Sequence, residues 1–553
     1  MAHSKRIAII GAGPSGLTAI KSCKEEGFAP VCFERTGAIG GLWRYHDEEI
    51  DGVASLMKTT IINTSKEMSA FTDFPPPKEF ANFMHNSKMW EYLMLYAETF
   101  NLLQHIRYHV EVIKIEPSED YKETGRWIVT SKNTQTNAVS REEFDGIMIC
   151  TGHHSYPNIP TFPGQEKFKG TIMHSHSLKT CERFQGQRVV IVGIGNSAVD
   201  AAVDSTFVAD QVYLSTRRGS WIMGRTGEDG KPYDLELMRR RNVFLLKFLP
   251  YDFQCRFLES RVKFDHDTYN LKPDHRILSA HTTMNDTLPN CVLSGKVIVK
   301  GDIEKFEENG VVFAGEEQVT KVDSVVLATG YDIKFPFLDS SVISFENNRV
   351  HLYKYIIPPH LEHSTLAFIG LIQPLGPFFS VVDIQCRWFA QILAGNLKLP
   401  SEEEMKKDIE NKIRANEKRF VNTSRHTIEA DWVPYLDELA EMIGAKPNLL
   451  KLAITDPKFF WICFNGPCFP YQYRLQGPHS WPGAKKAILT TEERIYAPLN
   501  SSGKKLSQKK DGFISTKKLL LILVVLAVCV MYVRKYRRLI SFMILYLKLK
   551  NII

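Results

Sequence analysis

A glycine-rich turn near the N-terminus has the residue types and spacing of a pyrophosphate-binding loop. It follows the apolar run 6–10 and opens a helical pattern over 17–26. The first glycine permits a tight turn, the second lets a phosphate approach the backbone, and the third lets helix and strand pack closely. Twenty-three residues after the first glycine, a carboxylate ends the next apolar run, where it can accept hydrogen bonds from ribose hydroxyls. We therefore predict an adenine dinucleotide site built from Gly11, Ala12, Gly13, Pro14, Ser15, Gly16 and Glu34.

A second turn of the same kind follows the apolar run RVVIV, with alanine as its third small residue. At the position that matches Glu34 the chain has Arg217 and Arg218 instead of an acid. A carboxylate there would repel a 2′-phosphate, whereas a guanidinium can hold one with two hydrogen bonds. Two solvent-exposed arginines without a ligand are the alternative. We predict FAD at the first turn and NADPH at the second, the latter held by Gly193, Gly195, Asn196, Ser197, Ala198, Thr216 and Arg217.

The cysteines exclude one class of enzyme with two dinucleotides. A disulfide reductase needs two closely spaced cysteines beside the flavin, but Cys32 is followed by no other cysteine until Cys150. The ten cysteines are scattered singly, without a CxxC pair, so a disulfide scaffold or a zinc ribbon is not expected and no metal site is predicted. Dioxygen remains the natural electron acceptor.

Nine short stretches carry a more specific signal than either turn alone. They are GAGPSG (11–16), FERTGAIGGLWR (33–44), IINTSKEM (61–68), MICTGHH (148–154), FKGTIMHS (168–175), GIGNSAVD (193–200), LSTRRGSW (214–221), LATGYDIKFPFL (327–338) and IGLIQPLG (369–376). In their order and spacing they resemble the flavin-containing monooxygenases of the microsomal type. The resemblance covers the chain from Arg6 to about Leu499.

This resemblance implies a chemistry that needs neither a catalytic triad nor a metal. NADPH would reduce FAD, and the reduced flavin would add dioxygen at C(4a) to give a hydroperoxide. A soft nitrogen or sulfur atom of a small lipophilic amine or sulfide would then attack the distal oxygen. The protein's task is to keep water and stray proton donors away, since elimination of hydrogen peroxide wastes the reductant.

The resemblance also assigns individual residues. It places the family's active-site asparagine at Asn63, whose uncharged amide can both donate and accept hydrogen bonds. The residues alone favour a turn-forming asparagine at that position. The resemblance further implies that FAD is lined by Leu42, Trp43, Asn63, Thr64 and Gln373, and NADP by Ser197, Ala198, Val199 and Asp200. Asp200 can equally cap local backbone.

One position departs from the family pattern FxGxxxHxxx followed by Tyr or Phe. The chain supplies Phe168, Gly170 and His174, but Leu178 takes the aromatic position. A lost ring between two nucleotide domains would loosen their relative positions and uncouple NADPH oxidation from oxygenation. For His174, a hinge or packing role is favoured over acid-base catalysis.

Two rival functions stay open. One is Baeyer-Villiger oxygenation of ketones, and His281 is similar to a site in family members that accept ketones. The other is a largely uncoupled NADPH oxidase, or a membrane-tethered NADPH-binding protein with feeble turnover.

The elements that must position these residues are parallel strands alternating with helices. Three runs of strand length, 6–10, 188–192 and 325–328, each end in a glycine-containing turn, and helical patterns follow the first two. The predicted fold is α/β, with two doubly wound Rossmann-like dinucleotide-binding domains, an inserted helical subdomain and a C-terminal membrane helix. We expect the FAD domain at 1–155 and 331–445, the NADPH domain at 156–219 and 296–330, the insertion at 220–295, a C-terminal extension at 446–500, a basic tether at 501–518, the anchor at 519–538 and a short apolar tail at 539–553.

Length and charge agree with this division. The 553 residues correspond to roughly three to four domain-sized units. The whole chain has a net charge of +7, and residues 503–553 alone carry +11. Residues 1–502 therefore have a net charge of about −4. The body has no basic excess to spread over phosphates, so a nucleic acid partner is not expected.

The basic segment flanks the apolar run 519–533, which indicates a membrane anchor. Fifteen residues give about 22 Å of helix, and snorkelling lysines can supply the rest of a hydrocarbon core about 30 Å thick. A buried helix or an interfacial one is the alternative. The N-terminus lacks a signal peptide, so we expect a body that faces the cytosol and unglycosylated sequons. The resemblance implies the endoplasmic reticulum membrane, and the sequence leaves room for a homo-oligomer.

Overall fold

The protein is described by a computed structural model that covers residues 4–227, 230–262, 264–421, 423 and 426–499. The described residues up to Pro498 form one compact unit, and Leu499 is assigned to a second. Within the described ranges, no helix is long and apolar enough to cross a bilayer. The predicted tether, anchor and tail (501–553) lie outside the described residues.

The strands are short and lie mostly in the first four-fifths of the chain. Those before residue 175 are β1 (Arg6–Ile10), β2 (Ala29–Phe33), β3 (Ile106–Arg107), β4 (Val110–Pro117), β5 (Trp127–Asn133), β6 (Val139–Phe144), β7 (Gly146–Ile149), β8 (Tyr156–Pro157) and β9 (Thr171–His174). The later ones are β10 (Arg188–Val192), β11 (Gln211–Ser215), β12 (Ile222–Met223), β13 (Thr283–Met284), β14 (Val297–Lys300), β15 (Ile303–Glu307), β16 (Gly310–Phe313), β17 (Thr320–Lys321), β18 (Ser324–Leu327), β19 (Tyr331–Asp332), β20 (Leu366–Phe368), β21 (Gln373–Leu375) and β22 (Glu429–Asp431).

The α-helices alternate with strands at first and follow one another after β22. They are α1 (Pro14–Glu25), α2 (Asn86–Thr99), α3 (Tyr121–Thr124), α4 (Asn196–Ser205), α5 (Asp234–Leu237), α6 (Arg240–Leu246), α7 (Tyr251–Glu259), α8 (Leu288–Leu293), α9 (Phe379–Leu393), α10 (Glu402–Arg419), α11 (Trp432–Met442), α12 (Leu449–Thr455), α13 (Pro457–Asn465), α14 (Ala484–Leu489) and α15 (Thr491–Tyr496).

Two five-stranded parallel sheets form the frame. The first has the order β20-β7-β1-β2-β3 and the second β14-β11-β10-β18-β9. Their central strands read as unbroken apolar runs because both faces are covered, as in Ile7, Ala8 and Ile9, which are fully buried. The α/β prediction with two parallel sheets is confirmed. The runs 6–10 and 188–192 are strands over those bounds, and the third predicted run lies one residue earlier, as β18.

The two short strands β8 and β19 form the connections between the first and the second sheet. After β7 it forms β8, and after β18 it forms β19, which pairs antiparallel with β8 before the chain returns to the first sheet as β20. The segment between β11 and β14 contains the short helices α5 to α8 and the two-stranded pair β12-β13. This segment corresponds to the predicted helical insertion.

A buried network of ion pairs connects the C-terminal extension to the helices α1 and α9. Arg474 is completely buried, with Asp73 at 3.2 Å and Asp383, which lies on α9, at 3.4 Å. Lys21 on α1 also pairs with Asp73, at 2.7 Å. The C-terminal extension is therefore part of the core around α1 and α9.

Candidate functional site

The first glycine turn has a backbone that side chains would obstruct. Gly11 lies in the left-handed region with φ +99°, and a Cβ there would stand 2.9 Å from the carbonyl oxygen of Cys150. A Cβ on Gly16 would come within 1.9 Å of the Gly11 carbonyl oxygen, so strand and helix could not pack as they do. Pro14 begins α1, where its missing N–H costs nothing. The turn aims the N-terminus of α1 at the space above the sheet, which suits a phosphate.

Glu34 stands beside this turn because β2 pairs in parallel with β1. Its carboxylate accepts hydrogen bonds from the backbone N–H of Ala12 at 2.9 Å and from the N–H and hydroxyl of Thr36, both at 2.8 Å. These bonds hold the carboxylate at the end of the strand. Its remaining lone pairs can accept from a ribose.

The residues around the turn fit FAD. Gly41 and Gly13 lie so close that a Cβ on Gly41 would stand 3.1 Å from the Cα of Gly13, which leaves a cradle lined by backbone. The short 3₁₀ helix from Gly41 to Trp43 carries both Leu42 and Trp43 to this place. Next to it, the Nη1 atom of Arg44 is buried and has no hydrogen-bond partner among the described residues. An unused buried donor of this kind is expected where a negatively charged ligand binds.

Arg44 was not singled out in the sequence, although it belongs to the stretch 33–44. The signal that could have found it is its place three residues after Gly41, which faces the first turn. Gly370, in turn, lies against Ser15: a Cβ on Gly370 would be 2.8 Å from the Ser15 hydroxyl. The segment that leads to Gln373 therefore starts at the same turn.

Gln373 and Glu429 are register partners in the parallel pair β21-β22. Glu429 is buried, and neither of its carboxylate oxygens has a hydrogen-bond partner within the described part of the chain. The Nδ1 atom of His281 lies 3.6 Å from one of those oxygens. The structure thus brings His281 to the strand pair that carries Gln373.

The second glycine turn repeats the geometry of the first. Gly193 has φ +124°, and a Cβ there would lie 2.5 Å from the carbonyl oxygen of Ala328. The helix α4 begins at Asn196, whose side-chain oxygen accepts a hydrogen bond from the N–H of Met284 at 2.8 Å. Ala198 and Val199 are completely buried in the core beneath the turn. Their side chains therefore pack and do not face a cofactor, while Gly195 and Ser197 stay accessible at the helix N-terminus.

A basic cleft opens beyond β11, where the 2′-phosphate was predicted to bind. It has a volume of about 420 Å³, and its walls include Thr216, Arg217, Arg218, Lys272 and Lys300. Lys272 and Lys300 each pair with a carboxylate, at 2.5 and 2.6 Å. Arg217 and Arg218 are exposed and form no ion pair with any described residue, so their charge is available to a ligand.

Asn63 is half-buried, and its side-chain oxygen accepts a hydrogen bond from the Nη2 atom of Arg225 at 2.7 Å. Neither Arg225 nor its contact was predicted, because the two residues are 162 positions apart. The neighbouring Thr64 shares a hydrogen bond with the Ser69 hydroxyl at 2.6 Å.

Three buried contacts hold the loop that carries Asn63. The N–H of Ser65 donates to Asp234 at 2.6 Å, and burial raises the pKa of that carboxyl group to about 6. The ammonium group of Lys66 donates to the carbonyl oxygens of Lys78 and Phe80 at 2.6 and 2.7 Å, and burial lowers its pKa to about 8. Glu67 is fully buried and pairs with Arg494 of α15 at 2.8 Å. The sequence motif 61–68 is thus anchored from three sides.

Asp200 is tied to the same region from α4. Its carboxylate accepts a hydrogen bond from the side-chain amide of Asn285 at 3.1 Å. Burial raises the pKa of Asp200 to about 6, against the opposing charge of Arg225. Neither NADP binding nor capping of local backbone, the two roles weighed for Asp200, is tested by this contact, which joins two side chains 85 positions apart.

His174 and Leu178 both have packing positions. Burial, together with the neighbouring His176, lowers the pKa of His174 to about 4, and its ring lies 5.3 Å from the ring of Tyr331. Leu178 is completely buried in a cluster that contains Phe184 and Met57. The Leu178 side chain therefore fills a hydrophobic core that also contains Met57, a residue that precedes the second nucleotide domain in the chain.

Comparisons with known proteins agree with this site. The family described as flavin-binding monooxygenase-like matches residues 4–534. The chain is 46% identical over 532 residues to flavin-containing monooxygenase 5 of Cavia porcellus, covering 96% of this chain and 99% of that one. It is 44% identical over 507 residues to dimethylaniline monooxygenase [N-oxide-forming] 2 of Oryctolagus cuniculus, covering 90% and 94%. Among solved structures, S-allyl-L-cysteine S-oxygenase from Allium sativum has the same fold, with a TM-score of 0.62, 24% identity and coverage of 83% and 95%.

Proposed function

The chain belongs to the flavin-containing monooxygenase family, and from that premise we propose that it oxygenates nitrogen or sulfur atoms of small lipophilic amines and sulfides. It is an NADPH- and oxygen-dependent monooxygenase with FAD as its flavin. The observation that carries the proposal is the half-buried amide of Asn63, held on a rigid loop by Arg225. An uncharged donor can stabilise a polar oxygen species without supplying the acidic proton that would decompose it.

Each part of the site has a separate task. The cradle around Gly13, with Glu34 and Arg44, would hold FAD, and the cleft with Arg217 would hold the 2′-phosphate of NADPH. When bound and reduced, FAD supplies the activation of dioxygen. Asn63 would orient polar groups at the reacting position, and the buried anchors Lys66 and Glu67 would keep that amide from drifting. A fixed and partly dehydrated site limits wasteful release of hydrogen peroxide.

The choice of nitrogen and sulfur as targets is supported by the names of two similar proteins. One relative at 44% identity is named as N-oxide-forming, and one protein of the same fold is named as an S-oxygenase. The arrangement of Asn63 adds an observation from this chain: among the described residues, the charged side chain that hydrogen-bonds to Asn63 is Arg225, which donates to the amide oxygen and leaves the N–H groups to other partners. No carboxylate in that part of the chain accepts a hydrogen bond from Asn63.

Product analysis tests this proposal. The FAD-loaded protein is incubated with NADPH, air and either a thioether or a linear ketone, and NADPH use, hydrogen peroxide and products are quantified together. We expect sulfoxide in near-stoichiometric amount with NADPH. Ester from the ketone without sulfoxide from the thioether would favour Baeyer-Villiger oxygenation. Equal NADPH use with and without thioether, all recovered as hydrogen peroxide, would leave only an NADPH oxidase.

We further propose that the protein is held at the endoplasmic reticulum membrane with its body in the cytosol. The predicted anchor at 519–538 would provide the main attachment. A second contact is supported by the exposed aromatic residues of α6, α7 and the turn between them. Phe248 is 64% exposed and Phe253 54% exposed, and Phe244 and Phe257 are also exposed. Aromatic side chains of this kind, beside Lys247 and Arg256, suit the interface of an anionic bilayer.

Fractionation tests the location. Full-length protein made in eukaryotic cells should sediment with microsomes and resist extraction by salt and by alkaline carbonate. Protease added to intact microsomes should digest the body. Release by salt alone, or protection of the body from protease, would rule out this arrangement. In protein that lacks residues 519–538, the Phe248→Ser/Phe253→Ser substitutions should make extraction easier. In protein that keeps residues 519–538, the same substitutions should leave extraction unchanged.

A further inference from the structure

The contact between Arg225 and Asn63 determines which way the asparagine amide points. The Nη2 atom of Arg225 lies 2.7 Å from the side-chain oxygen of Asn63. An arginine has only donors, so the atom facing it must be the carbonyl oxygen. The amide N–H groups of Asn63 consequently point away from Arg225. Without Arg225, the two ends of the amide could exchange places by a rotation about the last side-chain bond.

Arg225 is itself held in place from the opposite side. Its backbone N–H donates to one carboxylate oxygen of Asp286 at 2.9 Å, and its Nη1 atom lies 3.4 Å from the other oxygen. The Arg225 side chain is 14% exposed. Its Nε atom is buried and has no hydrogen-bond partner among the described residues, so one donor of the guanidinium remains unused.

The segment 283–286 connects this pair to the second glycine turn. The Thr283 hydroxyl donates to the carbonyl oxygen of Ile194 at 2.6 Å. The N–H of Met284 donates to Asn196, and Asn285 donates to Asp200. Asp286, which holds Arg225, follows directly. Hydrogen bonds of segment 283–286, together with its backbone, thus connect the predicted NADP turn to Asp286, Arg225 and Asn63.

We propose that Arg225 is a positioning residue that orients the Asn63 amide with its N–H groups toward the reacting position. Segment 283–286, which is hydrogen-bonded to the predicted NADP turn, holds Arg225 in place. The inference rests on the proposed role of Asn63. It adds that the amide's orientation is imposed by a residue of the insertion.

A double-mutant cycle tests this coupling. The variants are Arg225→Met, Arg225→Lys, Asn63→Ala and the double variant Arg225→Met/Asn63→Ala. Arg276→Met is the matched control, because Arg276 lies in the same insertion and pairs with Glu259 at 3.0 Å without touching Asn63. FAD content and melting temperature confirm that each variant is folded and loaded.

The first readout is the fraction of NADPH electrons that leave as hydrogen peroxide in the presence of a thioether. Arg225→Met should raise that fraction by about three- to tenfold, the range expected for loss of one hydrogen bond. Arg225→Lys, which keeps a donor-only group, should restore part of the coupling. In the Asn63→Ala background, Arg225→Met should add nothing, because its effect passes through Asn63.

The second readout needs no turnover. The visible absorption spectrum of bound oxidised FAD, recorded without NADPH or substrate, should shift alike in Arg225→Met and Asn63→Ala and stay unchanged in Arg276→Met. Additive effects of the two substitutions, or an unchanged spectrum and coupling in Arg225→Met, would overturn the proposal. If the wild type forms no sulfoxide at all, the proposed function fails instead, and the spectrum still decides whether Arg225 acts on Asn63.

Discussion

The carboxylate of Glu34 accepts a hydrogen bond from the backbone N–H of Ala12 at 2.9 Å, across the space between the ends of two parallel strands. The same side chain thus stabilises the turn itself and stands where a ribose would bind. This double use means that changes at Glu34 act on the turn and on FAD together.

Glu34→Ala should weaken FAD binding by about 10- to 100-fold, since a buried N–H loses its acceptor and the ribose loses a partner. Glu34→Gln keeps an acceptor for Ala12 and should fall between this variant and the wild type. Titration of FAD into the apoprotein, followed by flavin fluorescence, measures both. Unchanged affinity in Glu34→Ala would remove this residue from the FAD site.

Arg217→Ala should weaken NADP⁺ binding by about tenfold or more and leave NAD⁺ binding within about twofold, because one charge-assisted contact to the 2′-phosphate is lost. Arg218→Ala tests the other free guanidinium of the same cleft. Dissociation constants of both nucleotides for the FAD-loaded protein provide the comparison. Equal weakening of the two nucleotides would show that Arg217 does not read the phosphate.

Gly16→Ala should prevent a stable first turn, because its Cβ would overlap the Gly11 carbonyl oxygen at 1.9 Å. We expect loss of FAD from the purified protein and a clearly lower melting temperature. Gly27→Ala is the matched control: Gly27 has φ +75° but no atom within 4 Å of the added Cβ, so only a backbone strain of roughly 1 kcal/mol is expected. If both variants behaved alike, close packing at Gly16 would not matter.

Arg474→Met should destabilise the protein by about 3–5 kcal/mol, because it leaves Asp383 buried without its paired cation and Asp73 with Lys21 alone. Lys485→Met removes an exposed cation of the same extension, paired with Asp456 at 2.7 Å, and should change stability by less than about 1 kcal/mol. Thermal unfolding of the two variants beside the wild type measures the difference. A melting temperature of Arg474→Met equal to that of Lys485→Met would mean that the buried network contributes nothing.

Asp234 gives the folded protein a pH dependence of known sign. Burial raises its pKa to about 6, above the value of about 3.9 in an unfolded chain, so the folded state binds more protons between those values. The stabilisation is complete below about pH 4 and is lost as the pH rises through about 6. Asp234→Asn removes this titration while keeping an acceptor for Ser65.

The stability of Asp234→Asn relative to the wild type should therefore rise by at most about 3 kcal/mol between pH 4.5 and 7.5. Asp200 titrates in both proteins and cancels in this difference. Asp252→Asn, an exposed aspartate of the same insertion, should show no such trend. Melting temperatures of the wild type and both variants, measured at half-unit pH steps, test this expectation. A difference between Asp234→Asn and the wild type that does not change with pH would contradict the raised pKa of Asp234.

Sequence reasoning located the strands of both glycine turns within one residue, because each combines a run of apolar residues with a local backbone need for glycine. It did not foresee the burial of Val199, which was assigned to the NADP site by its place in a motif. The Val199 side chain lies completely in the core, because successive residues of a helix point in different directions.

By itself, the sequence determined the α/β class and the two glycine-rich turns, and it predicts FAD at the first turn and NADPH at the second. These properties depend on residues that are close in the chain and on spacings that local geometry imposes. Only the tertiary structure decided that Arg225 meets Asn63, that Arg44 has an unused donor beside the first turn, and that Arg474 joins the C-terminal extension to α9. Such contacts join residues of distant segments, and no pattern along one strand or helix records which side chains folding will bring together.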